Sequence, residues 1–91
     1  MDLGLEGKVA LVTASSRGLG KAVAMRLAHE GAHVAICARG EETLRAAARA
    51  IEAATGRHVL AVPADVTAPD AADRLVAAAL DQFGRLDILV L

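Results

Sequence analysis

The sequence predicts an α/β chain built on a doubly wound parallel sheet, and three observations carry that expectation. Four apolar runs alternate with three helical patterns, with no linker or low-complexity segment between them. The apolar runs are continuous rather than alternating, as in strands covered on both faces. A turn of small residues, Thr13-Ala14-Ser15-Ser16-Arg17-Gly18-Leu19-Gly20, separates the first run from the first helical pattern.

The first strand is expected over residues 9–13 and the first helix over 18–30. In that helix Leu19, Ala22, Val23 and Leu27 should face the sheet, and Gly31 is placed to end it. The second strand should occupy 33–38 and the second helix 41–55, with Gly56 as its stop. Leu44, Ala47, Ala48 and Ile51 follow the i, i+3, i+4, i+7 spacing of a buried face. Glu41 and Glu42 fall in the first turn, where acids favour the helix dipole. A third strand is expected over 58–64.

The third helix carries the clearest pattern. Thr67 is expected to cap it, and Pro69 suits its first turn. Ala72, Leu75, Val76, Ala79, Leu80 and Phe83 then form one apolar stripe before Gly84. Burying Leu75 or Phe83 should contribute ~1.5–3 kcal/mol each. The fourth strand is expected over 86–91.

This is β-α-β-α-β-α-β. Right-handed crossovers place the helices on the two faces of the sheet and give strand order 3-2-1-4, the N-terminal portion of a Rossmann sheet. Ligands bind such sheets beyond the carboxyl ends of the strands, at the switch between the first and fourth. The Thr13–Gly20 turn sits at that crevice. Backbone N–H groups that open a helix have no partner within it, and the dipole adds partial positive charge there. A pyrophosphate satisfies both, provided small residues let it reach the backbone. The competing reading is a turn of purely structural small residues.

Composition narrows the function classes. Ninety-one residues suit one small domain, whose stability would be thin. A formal net charge of −1 gives no reason to expect nucleic acid or an anionic membrane. No apolar run approaches the roughly 18–20 residues of a membrane helix. Met1-Asp2-Leu3-Gly4-Leu5-Glu6 is acidic where a signal peptide would be basic, so the expectation is a soluble cytoplasmic protein. Cys37 is the one cysteine, which rules out an internal disulfide and argues for a buried structural thiol. His29, His33 and His58 lack metal-ligand spacing and read as surface or packing residues.

Leu5-Glu6-Gly7-Lys8-Val9-Ala10-Leu11-Val12-Thr13, with the Ala-Ser-Ser-Arg-Gly-Leu-Gly that follows, resembles the opening of the short-chain dehydrogenase/reductase family. Ala64-Asp65-Val66-Thr67 resembles that family's turn after the third strand, and Arg85-Leu86-Asp87-Ile88-Leu89-Val90 its fourth strand. The resemblance spans nearly the whole chain and is strongest to 3-oxoacyl carrier-protein reductase-like enzymes. It implies a nicotinamide cofactor held by Thr13, Ser15, Ser16, Arg17, Gly18, Leu19 and Gly20. Asp65 then meets the adenine amino group and Val66 lines the ring. As a turn residue at a helix entry, Asp65 also has a purely structural reading.

The chain departs from the family pattern at Ala14, where glycine is usual, and at Leu91, where asparagine is more common. The Ala14 methyl would cost ~1–2 kcal/mol if the turn needs positive φ there. Ala14→Gly is expected to leave cofactor binding similar.

Cofactor choice turns on the end of the second strand. An acid there would hold the ribose 2′-hydroxyl of NAD. Ala38-Arg39 stands in its place, and Arg39 can grip a 2′-phosphate through charge-assisted hydrogen bonds. The resemblance puts a second phosphate-binding base at Arg17. Together they point to NADP(H), against the plainer reading of two solvated arginines.

The family's chemistry implies a tyrosine acid–base with a lysine beside it, a substrate serine and a supporting asparagine. The chain has no tyrosine, and its lysines are Lys8 and Lys21. No catalytic residue is therefore assigned to it, and no metal site. The expectation is the first third of an NADP(H)-dependent reductase that moves a hydride between nicotinamide and a small carbonyl or alcohol substrate. The parent would be a homo-oligomer. As an isolated unit the chain would be marginal and aggregation-prone, with Ile88-Leu89-Val90-Leu91 as an open apolar edge. The alternative is a stand-alone nucleotide-binding module.

Overall fold

The structure, a computed structural model, describes residues 4–13, 18–65 and 68–90. Its elements run β1 (Val9–Thr13), α1 (Gly18–His29), β2 (His33–Ala38), α2 (Glu41–Thr55), β3 (Val59–Pro63), α3 (Ala71–Phe83) and β4 (Ile88–Val90). The strands form one parallel sheet in the order β3-β2-β1-β4. This is the doubly wound arrangement that the alternation of runs and helices predicts.

Both faces of the sheet are covered at its centre. Val9, Ala10, Leu11 and Val12 of β1 are all buried, so this strand reads as an unbroken apolar run. On one face α1 and α2 pack over Val12, Val34 and Ile36, with Leu44, Ala48 and Ile51 supplying the contact from α2. On the other, Leu75 of α3 packs with Leu11, Ala35 and Cys37. Four residues of α2 (Leu44, Ala47, Ala48 and Ile51) are buried, as their spacing requires.

The inward faces of α1 and α3 differ from expectation. In α1 the buried residues are Ala24 and Ala28, with Val23 and Leu27 half-buried and Ala22 exposed. Alanines allow the helix to lie close on the sheet, and the larger side chains settle at its flanks. The side chain of Leu19 lies outside the described residues. In α3 the line Ala71, Leu75, Ala79 is buried, Val76 and Phe83 are half-buried, and Ala72 and Leu80 are exposed. This helix packs on β1, β2 and β3 but not on β4. Leu89, which pairs with Leu11 in the register, is accordingly 53% exposed.

Several boundaries also shift. β3 begins at Val59, and the His58 imidazole pairs instead with Glu52 (Nδ1 to Oε2, 3.0 Å). Its last residue is Pro63, after which the Ala64 N–H still donates to Ala38 O at 3.0 Å. Pro69 precedes α3 rather than opening it. The segment before α3 is closed by turns in which Ala68 N donates to Asp65 O (2.9 Å) and Ala71 N to Ala68 O (3.1 Å). The N-cap is Asp70, whose carboxylate makes no cap hydrogen bond and pairs with Arg74 at 3.4 Å. Thr67, expected as the cap, and Leu91 lie outside the described residues.

The opposite edge of the sheet is tied down by the segment before β1. Gly31 has φ +101°, and a Cβ there would collide with the Glu6 side chain and lie 3.2 Å from Glu6 Cα. A residue other than glycine would meet both strain and a clash. Glu6 in turn accepts from Arg57 at 2.9 and 3.1 Å.

Candidate cofactor site

Because every strand is parallel, the carboxyl ends of β1 to β4 lie along one edge. That edge brings together Thr13, the start of α1 at Gly18, Arg39 just past β2, and Asp65 two residues past β3. Thr13 is half-buried, and its Oγ1 donates to Val90 O at 3.3 Å, which fastens β1 to β4 beside the crevice. Gly18, Leu19 and Gly20 form the first turn of α1, whose N–H groups have no partner within the helix. Ser15, Ser16, Arg17 and Val66 lie outside the described residues, as does Ala14.

The end of β2 is built from buried Cys37 and Ala38, followed by exposed Arg39 and Gly40. Neither strand-end position carries a carboxylate. Arg39 Nε lies 3.9 Å from Asp65 Oδ2, with the two side chains 79% and 42% exposed. Gly40 is the N-cap of α2 and supplies no side-chain cap hydrogen bond. Thr43 Oγ1 donates to Gly40 O at 3.1 Å, and a Cβ on Gly40 would sit 2.9 Å from the same hydroxyl. Among the described residues no side-chain acceptor is seen at the first-turn N–H groups of α2, next to the exposed Arg39 guanidinium. Arg39 and the helix dipole put positive charge at this corner, and Asp65, Glu41 and Glu42 put negative charge there.

Cys37 is fully enclosed, and its Sγ contacts Ala64 O at 3.7 Å. Burial pushes its thiol up, and the weaker pull of Arg74 does not offset this. It is a packing residue between β2 and the turn after β3, as the apolar run around it implies. His33 stacks on Phe83 with ring centroids 5.4 Å apart. His29 lies exposed on α1.

A residue that the sequence reading did not single out is Asp87. Its carboxylate accepts from Val9 N at 2.9 Å and from the Arg85 guanidinium at 2.8 and 2.7 Å. Those donors hold its carboxyl below the ordinary carboxylate range, with Arg85 the larger influence. The Arg85-x-Asp87 spacing was the available signal. A groove of about 460 Å³ runs along α1, lined by Lys21, Ala22, Met25, Arg26 and His29, none of them at a strand end.

The family model of the short chain dehydrogenases matches residues 8–91. An uncharacterized oxidoreductase of Methylorubrum extorquens is 49% identical over 87 residues, covering 94% of this chain and 35% of the relative. The 2,3-dihydro-2,3-dihydroxybenzoate dehydrogenase of Bacillus subtilis is 41% identical over 87 residues, 96% of this chain and 33% of its own. Among solved structures, the L-sorbose reductase of Gluconobacter frateurii, complexed with NADPH and L-sorbose, superposes with a TM-score of 0.93 at 44% identity. That match covers 98% of this chain and 34% of the reductase. The chain spans about a third of the length of the relatives it matches.

Proposed function

The chain belongs to the short chain dehydrogenase family, and on that premise we propose that it supplies the cofactor-binding half of an NADP(H)-dependent oxidoreductase. The reaction is hydride transfer between the nicotinamide and a small carbonyl or alcohol substrate. Residues 1–91 are read as an incomplete NADP-binding Rossmann domain of a cytoplasmic, homo-oligomeric parent. Thr13, Ser15, Ser16, Gly18, Leu19 and Gly20 would hold the pyrophosphate, Arg17 and Arg39 the 2′-phosphate, and Asp65 and Val66 the adenine. The bound cofactor supplies or accepts the hydride. The residues of this chain bind and orient it, and with no tyrosine among them the proton chemistry is assigned elsewhere in the parent.

The observation that carries NADP(H) over NAD(H) is Arg39. It stands exposed directly after buried Ala38, where a carboxylate would oppose a 2′-phosphate. One acid at that corner, Asp65, is itself paired to Arg39. The NADPH bound to the Gluconobacter reductase supports the same reading.

The test is fluorescence titration of the intact protein with NADPH and with NADH. Replacing Arg39 and Arg17 by alanine together should weaken NADPH at least about tenfold, as loss of charge-assisted hydrogen bonds does. NADH should be little changed. Equal loss for both cofactors would overturn the 2′-phosphate assignment.

A further inference from the structure

We propose that Arg45 helps set the cofactor preference of this site by neutralising Glu41, a role that rests on the reading of Arg39 as the 2′-phosphate contact. Glu41 and Glu42 follow Arg39 and Gly40 directly and form the first turn of α2. Acids there are favoured by the helix dipole. A phosphomonoester, however, brings roughly two negative charges to the same corner, so each carboxylate also works against it.

The two carboxylates are not equivalent. Arg45 Nε donates to Glu41 Oε2 at 3.0 Å, one helical turn along α2, so the Glu41 charge is balanced away from the mouth. Glu42 has no ion pair among the described residues. Gly40 puts no side chain between Arg39 and the turn, and a Cβ there would crowd Thr43. The corner therefore holds one exposed cation, Arg39, with Asp65 paired to it, Glu41 compensated by Arg45, and Glu42 with no ion pair among the described residues. Arg45 acts through Glu41 and serves as a positioning residue. Its loss would leave two uncompensated carboxylates beside Arg39 and favour a cofactor that lacks the 2′-phosphate.

The pair is exposed, so the effect should be modest and sensitive to salt. In the intact protein at low ionic strength, Arg45→Met should weaken NADPH about threefold, the size expected of a surface pair, and leave NADH unchanged. The loss should disappear in the Glu41→Gln background and fade at high salt. Glu41→Gln alone breaks the same i,i+4 pair, so a merely structural role predicts that it acts like Arg45→Met. The proposal predicts instead that it leaves NADPH binding equal or tighter. Thermal melts of both variants keep the helix contribution in view.

Loss of NADPH and NADH affinity alike in Arg45→Met, or a loss that persists in the Glu41→Gln background, overturns the proposal. Arg39→Ala separates the two levels. If it spares NADPH, the 2′-phosphate reading fails with everything built on it. If it costs NADPH selectively while Arg45→Met does not, only the role of Arg45 falls.

Discussion

Arg39 and Asp65 meet across the carboxyl ends of β2 and β3, with Nε and Oδ2 3.9 Å apart. One stands just past its strand and the other two residues past its own, and parallel pairing of Ala38 with Pro63 brings them together. At this separation and exposure the pair adds little stability. Its consequence is local charge: the Asp65 carboxylate is matched by the Arg39 guanidinium.

The two partners should separate in binding measurements. Asp65→Ala should weaken NADH about three- to tenfold for one lost hydrogen bond to the adenine, and NADPH by less, because removing the carboxylate also frees Arg39 for the 2′-phosphate. Arg39→Ala should act on NADPH alone. Isothermal titration of each variant with both cofactors checks the split.

Within α3, two leucines five residues apart should respond very differently. Leu75 is 3% exposed and packs with Leu11, Ala35 and Cys37, so Leu75→Ala should cost ~2–5 kcal/mol and Leu75→Asp should prevent folding. Leu80 is 45% exposed, and Leu80→Gln should stay within ~0.5 kcal/mol of the parent. Urea denaturation of each variant measures the contrast.

Asp87 gives stability an acid limb. Its carboxyl lies below its ordinary value in the folded chain, so it binds a proton more readily once unfolded. Its contribution is fully present above the ordinary carboxylate pKa and is lost as pH falls through the lower folded value. Asp87→Asn should lower the melting temperature at neutral pH. The difference from the parent should shrink as the pH is taken below about 4. A difference that stays constant across that window would assign its effect to shape rather than charge.

Cys37 should be silent toward thiol reagents. It is fully enclosed, with its thiol pushed up, so a disulfide reagent at neutral pH should label it only in denaturant. Rapid labelling of the native protein would mean that the turn after β3 opens readily.

The fold was legible wherever the sequence marks its own boundaries. β1, β2 and α2 begin and end as expected, since apolar runs and the glycines at 40 and 56 punctuate them. The start of α3 was not, because Pro69 suits a helix's first turn and a preceding turn equally well. Periodicity also leaves open which side of a stripe lies deepest. Leu80 follows the pattern of Leu75, yet α3 does not reach β4 and Leu80 stays exposed. In α1 the expected inward face was Leu19, Ala22, Val23 and Leu27, whereas among the described side chains close packing on the sheet selected Ala24 and Ala28. At the site, topology alone placed Thr13, Arg39 and Asp65 on one edge. The approach of Arg39 to Asp65 and the tether of Glu41 to Arg45 depend on loop course and rotamer, which spacing does not encode.

The hydrogen bond from Val9 N to Asp87 links residues 78 positions apart, and β1 lies between β2 and β4. During synthesis the β2 side of β1 can be covered early, while its other side waits for the fourth strand. At ribosomal speeds of about 5–20 residues per second, that interval is roughly 4 to 16 seconds. Through it, a nascent chain would carry the backbone of a largely apolar strand unpaired along one flank. Chaperone engagement during translation should therefore fall when Asp87 clears the exit tunnel, and a synonymous-codon slowdown between α2 and β4 should prolong it.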